Sequence, residues 1–208
     1  VLGRHALDDV LDTMGAYVDS VKFAGGSFLL MPKRALRELV DRCHKAKVEL
    51  STGGFLEHVL VHGPALVDRT IGECREVGFD TVEISAGFIS LPVDDVVRLI
   101  KRVRDTGMKA KPEIGIQFGA GGATSSSELS AEGTPDPAWA IARARRYLDA
   151  GAAILMIESE GITESVEHWR TDVPARLIDS VGLDKLMFEA ADPDVFSWYV
   201  KTYGVDVN

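Results

Sequence analysis

A short unit recurs four times along the chain: a glycine, a run of strand-forming residues, then glutamate. It runs from Gly78 through Glu83 to Ser85, from Gly107 to Glu113, from Gly151 to Glu158 and Glu160, and from Gly182 to Glu189. Glycine without a β-carbon can end a helix in the left-handed conformation, so each unit reads as the passage from a helix into a strand. An apolar strand needs no acid at its end for stability, and carboxylates brought close together repel. Four strands that each deliver a glutamate therefore point to a cation or a substrate.

The segments between these units have helical periodicity. Residues 31–46 carry Leu36, Leu39, Val40 and Cys43 on one face behind Pro32, and residues 93–106 carry Val93, Val96, Val97, Ile100 and Val103. Helices are also predicted over residues 6–17, 64–77, 138–150, 174–181 and from 192 to about 203. Further strands are expected at 18–23, with Lys22 near the end, at 47–50, closed by Ser51-Thr52-Gly53-Gly54, and at 154–157. Residues 205–208 read as the start of another strand. One stretch breaks the pattern: residues 119–137 are too polar and glycine-rich to hold a packed face and read as a long loop, a candidate lid.

Strands alternating with helices imply parallel pairing through right-handed crossovers. Acids at the ends of many successive strands favour a closed (β/α)8 TIM-type barrel, whose site is assembled at one rim from several strands. A doubly wound sheet would gather its ligand at one switch point, and the chain has neither GxGxxG nor a Walker A sequence. The strands count as the second to the start of the eighth. The expectation is one barrel domain over 1–208, truncated so that strand 1 and most of strand 8 are missing.

Composition excludes several function classes. A net charge of -9, with no basic run, argues against a nucleic-acid partner, and no apolar run is long enough for a membrane span. Cys43 and Cys74 stand alone inside helical patterns, which suits reduced thiols and a cytoplasmic setting rather than a disulfide framework. His58 and His62 are four apart but have no third ligand near them and read as structural. Trp139, Trp198 and Tyr199 fall on outer helices as packing residues or as the interface of a homo-oligomer.

The stretches VDSVKFAGGS, TVEISAGFISLP, LMIESEG and KLMFEA, followed by YGVDVN, resemble the phosphosulfolactate synthase family across nearly the whole chain. The resemblance implies a (β/α) barrel and, from the archaeal members, addition of sulfite to phosphoenolpyruvate with Mg²⁺. The family also holds plant heat-stress-associated proteins and other relatives, which leaves a non-catalytic, stress-associated role, partner-binding or protective, as the alternative. Archaeal members carry lysines after the motif that Glu113-Ile114-Gly115 matches, and an arginine after the strand-six glutamate. Here Ile116-Gln117 and Ser159-Glu160-Gly161 stand there, with Lys111 two residues before Glu113 on the same side of its strand.

On this reading Lys22, Lys111 and Glu113 are the candidate catalytic residues, and Glu83, Glu158, Glu160 and Glu189 the candidate Mg²⁺ ligands. Ser27, Ser51, Thr52, Gly53, Gly54 and Ser85 are the candidate contacts to a small anionic phosphorylated substrate. Each has a structural counterpart. The lysines and glutamates could equally be rim salt bridges, and the serines and glycines could serve turn geometry alone.

Overall fold

The computed structural model describes residues 3–87, 89–116 and 136–207. The described chain is α/β, and its elements run α1 (Arg4–Met14), β1 (Ser20–Phe23), α2 (Lys33–Lys45), β2 (Glu49–Thr52), α3 (Leu56–Leu60), α4 (Pro64–Val77) and β3 (Thr81–Ile84). They continue with α5 (Val93–Asp105), β4 (Lys109–Ile114), α6 (Ala138–Asp149), β5 (Leu155–Ile157), α7 (Asp172–Val181), β6 (Leu186–Phe188) and α8 (Pro193–Tyr203). Six of the seven expected strands are present among the described residues. Two compact units divide the chain, Val1–Glu83 with Arg102–Lys109, and Ile84–Lys101 with Ala110–Asn208.

In the first unit β1 pairs parallel to β2, and β2 to β3. Helix α2 buries Leu36, Leu39, Val40 and Cys43, the face its periodicity announced. Helix α4 starts at Pro64 and stops at left-handed Gly78 (φ 109°), whose N–H reaches the carbonyls of Cys74 and Arg75. A β-carbon at Gly78 would lie 2.9 Å from Val40 Cγ1, so the glycine also lets α2 approach. Asp80 then pins the entry to β3, with Oδ2 2.8 Å from His44 Nε2 and accepting the Leu50 N–H at 2.8 Å. Phe28 stacks edge-on against Phe55 and packs on Phe79, and this aromatic cluster anchors the 3-10 segment Ala24–Leu30 that follows β1.

In the second unit β4 pairs parallel to β5, and β5 to β6. Leu155, Ile157, Leu186 and Phe188 are buried, as are Ala144 and Tyr147 of α6 and Leu177 of α7. Asp192 caps α8 by accepting the N–H groups of Asp194 and Val195. Phe188 stacks on Tyr199, and Trp198 links Tyr199 to Trp169. Trp139 lies under the Arg143 guanidinium at 5.0 Å.

Three local readings need correction. Strand β2 begins at Glu49 rather than at residue 47, because Lys47 is left-handed (φ 62°) and closes α2, with the Lys47 and Val48 N–H groups donating to the His44 and Cys43 carbonyls. Ser51 and Thr52 accordingly lie inside the strand. Helix α3, too short to show a period, was not foreseen. Residues 204–207 turn back on themselves through a Val207 N–H bond to the Gly204 carbonyl, and do not form a strand.

Candidate functional site

Two sets of predicted residues come together, one in each unit. In the first, the register aligns Lys22 with Ser51 and Ser51 with Thr81, so by strand alternation Lys22, Ser51, Gly53 and Glu83 share one face of the sheet. Glu83 is wholly excluded from solvent, and its Oε1 lies 3.7 Å from Lys22 Nζ, whose side chain stays 37% exposed. A lysine able to reach both this carboxylate and solvent can also hold an incoming anion.

The hydroxyls around that pair are engaged in the fold. Ser51 Oγ donates to the Thr52 carbonyl at 2.8 Å, and Thr52 Oγ1 accepts the Glu83 N–H at 2.9 Å, tying β2 to β3 at the acid. At Gly53 a β-carbon would sit 2.6 Å from the Phe23 carbonyl oxygen and 2.7 Å from Ala24 Cα. Only glycine permits that approach of the β1 and β2 ends. Gly54 is half-buried in the bend before α3, and Ser27 is half-buried behind left-handed Gly25 and Gly26. His58 and His62 are exposed on α3 and in the turn after it.

The second set is the denser one. Glu113 aligns with Met156, and Met156 with Met187, so the face that carries Glu113 also carries Lys111 two residues before it, Glu158 two after Met156, and Glu189 two after Met187. The Glu158 N–H extends the ladder to the Ile114 carbonyl, and the Glu189 N–H extends it to that of Ile157. The opposite face presents Ala110, Ile114, Leu155, Ile157, Leu186 and Phe188 to the core. Lys111, Ser85, Glu158 and Glu160 are all buried.

Past β5 the chain stays buried from Glu158 to Thr163, an unusual run for a loop that contains two glutamates. Gly161 is left-handed (φ 74°), and Glu160 forms an isolated bridge with Glu164. Ser159 Oγ lies 2.6 Å from Glu164 Oε2 and 3.4 Å from Glu189 Oε2. Ser159 and Glu164 escaped the sequence reading. The available signal was the density of acids and hydroxyls directly behind an apolar strand, in ESEGITES.

Among the described residues, no group of three or more His, Cys, Asp or Glu side chains is gathered closely enough to hold a metal ion. No helix among them is long and apolar enough to cross a membrane. The candidate lid at 119–137 lies outside the described residues up to 135. A cleft of about 900 Å³ opens between α1 and α2, lined by Asp8, Glu38, Asp41 and Arg42 among others, with Asp8 and Arg42 ion-paired across it. It contains none of the sheet-face residues.

The family description (2R)-phospho-3-sulfolactate synthase (ComA) matches residues 1–208. The chain belongs to this family. It is 32% identical to Protein HEAT-STRESS-ASSOCIATED 32 of Arabidopsis thaliana, over 100% of this chain and 76% of that protein. It is 27% identical to the phosphosulfolactate synthase of Methanothermobacter thermautotrophicus, over 100% of this chain and 78% of the other. A crystal structure of 2,3-dimethylmalate lyase, a PEP mutase/isocitrate lyase superfamily member, superposes with a TM-score of 0.57 at 15% identity, over 93% of this chain and 66% of that one. The carboxyl transferase domain of Rhizobium etli pyruvate carboxylase gives 0.59 at 14% identity, over 97% of this chain and 35% of that one. At such identities the likeness establishes a TIM-type α/β fold and nothing about chemistry.

Proposed function

We propose that this phosphosulfolactate synthase family member is a Mg²⁺-dependent lyase that joins sulfite, or a related nucleophile, to phosphoenolpyruvate. The observation that carries the reading is the shared face of β4, β5 and β6, which gathers Lys111, Glu113, Glu158 and Glu189 at the strand ends. The donor set fits the ion. All the acids offer hard oxygen, and Mg²⁺ takes one or two carboxylates with water and substrate phosphate, so a pair suffices where no cluster of three is gathered among the described residues. Glu158 and Glu189 both follow the aligned Ile157 and Phe188 in the ladder and would form that pair.

When bound, the ion neutralises the charge of the substrate's carboxylate and phosphate. The chain's own residues supply the remainder. The sulfite lone pair forms the C–S bond at C3 of the alkene, the π electrons move to C2, and a lysine ammonium delivers the proton that closes the C2–H bond. Lys111 is the donor on this face, Glu113 orients it from two residues away, and solvent restores its proton. Lys22, bound to Glu83 in the first unit, is the group that holds anionic oxygen there.

The greater identity to the plant heat-stress-associated protein, 32% against 27%, favours a second reading, in which the fold serves partner binding without turnover. Phosphorus NMR of phosphoenolpyruvate with sulfite and Mg²⁺ separates the two. The enzyme reading expects loss of the substrate resonance to a phosphosulfolactate signal and, in Glu158→Gln, weaker Mg²⁺ binding with an unchanged fold. Intact substrate, together with no Mg²⁺-dependent rise in melting temperature, would overturn the enzyme reading and leave the second standing.

A further inference from the structure

Ser159 is 3% exposed and held rigidly, because its carbonyl accepts the N–H groups of Ile162, Thr163 and Glu164 at 3.0, 2.9 and 3.0 Å. Its hydroxyl has one proton and two carboxylate acceptors, Glu164 Oε2 at 2.6 Å and Glu189 Oε2 at 3.4 Å. The short contact takes the proton, and the long one is at the limit of a hydrogen bond. The two acceptors differ in what they lose when the hydroxyl turns. Glu164 is exposed, so water replaces the serine there, whereas Glu189 is half-buried at the end of β6.

We propose that Ser159 is a positioning residue for Glu189. It donates to Glu164 in the resting protein and turns to Glu189 when that carboxylate takes Mg²⁺. The inference rests on the reading above in which Glu189 is a Mg²⁺ ligand. Mg²⁺ demands near-ideal octahedral geometry, so a ligating carboxylate whose second oxygen is fixed by a donor binds better than one free to rotate. Outer hydrogen bonds of this kind typically change metal affinity by about 10- to 100-fold. The loop that places Ser159 thus becomes part of the cation site, although it supplies no ligand from this residue.

Ser159→Ala tests this cleanly, because it removes a donor and no charge. Mg²⁺ binding is measured by calorimetry, with and without phosphoenolpyruvate, on the wild type, Ser159→Ala and Ser159→Thr, alongside metal-free melting temperatures. The expected result is a loss of Mg²⁺ affinity of about 10-fold or more in Ser159→Ala, a metal-free melting temperature within about 2 °C of wild type, and recovery in Ser159→Thr. If Ser159→Ala does not fold, Ser159→Cys, a weaker donor of similar shape, is expected to lose affinity where Ser159→Thr keeps it. Equal affinity in wild type and the donor-poor variant overturns the role of Ser159 alone. A wild type that binds no Mg²⁺ under either condition overturns it together with the enzyme reading.

Discussion

The Lys22–Glu83 pair sets two opposed tendencies against each other, and a double-mutant cycle measures which prevails. At 3.7 Å the attraction between unit charges is about 1 kcal/mol in water and about 4.5 kcal/mol at an effective dielectric of 20. Glu83 lies fully inside, which favours the larger figure, but the lysine side chain is 37% exposed, and solvent screens it. The expected coupling is therefore about 1–2 kcal/mol. Lys22→Met, Glu83→Gln and the double variant, each unfolded in urea at one pH, give the coupling from their midpoints when the slopes agree. A coupling below about 0.5 kcal/mol would refute the reasoning that burial of Glu83 lifts this pair above an ordinary exposed one. Phosphoenolpyruvate should reduce the coupling if Lys22 turns toward an anion, since the same ammonium cannot fully serve both.

Gly53→Ala should cost about 3 kcal/mol in urea unfolding, because both atoms that the new methyl meets, at 2.6 and 2.7 Å, belong to backbone; wild-type stability would show that the β1 end yields. The Arg170 hydrogen bonds hold the Asp172 carboxyl below its usual range, so they add stability above the unfolded carboxylate pKa of about 3.9 that is lost as pH falls through the lower folded value. Arg170→Ala should flatten that acid limb by at most about 1 kcal/mol, given the exposure of the pair, and an unchanged pH profile would count against it. Burial, and then Glu73, push the Cys74 thiol up to about 12, and burial with Asp80 raises that of Cys43. Neither should react with Ellman's reagent in the native protein at pH 8, where the Cys74 thiolate fraction is about one in ten thousand; labelling within minutes would contradict this.

The fold was legible wherever one element carried its own period and punctuation. Helix α4 reads directly from Pro64 to Gly78, and α2 from four buried residues at helical spacing. Boundaries failed where the deciding term was a backbone conformation rather than a side-chain pattern. Lys47 looks like the first residue of a strand by composition, yet the helix cap needs a left-handed residue there, and a lysine adopts it. The five residues of α3 make little more than one turn, too few to display a 3.6-residue period. Residues 205–208 have a strand-like alternation, but a strand requires a neighbour's backbone, which no local signal encodes.

The site was legible to the extent that strand alternation fixes facing. Placing Lys111 and Glu113 together needed only the period of two, whereas adding Glu158 and Glu189 to them needed the register of three strands, which the structure supplies. Gly53 shows the reverse limit. A glycine after a strand is equally compatible with an anion nest and with a close backbone approach, and it takes the 2.6 Å distance to the Phe23 carbonyl to show that the second holds at Gly53. Ser159 and Glu164 were invisible for a related reason, since a serine and an acid five residues apart in a loop have no fixed separation until the turn is known. The Ser159 carbonyl gathers three consecutive N–H groups, which brings Glu164 back to its hydroxyl, and the β5–β6 pairing brings Glu189 to the same hydroxyl from the other side. On the proposal that Ser159 positions Glu189, the loop after β5 serves two ends at once, a tight turn and the aim of a carboxylate. Replacing only the hydroxyl at Ser159 is the substitution that can tell those demands apart.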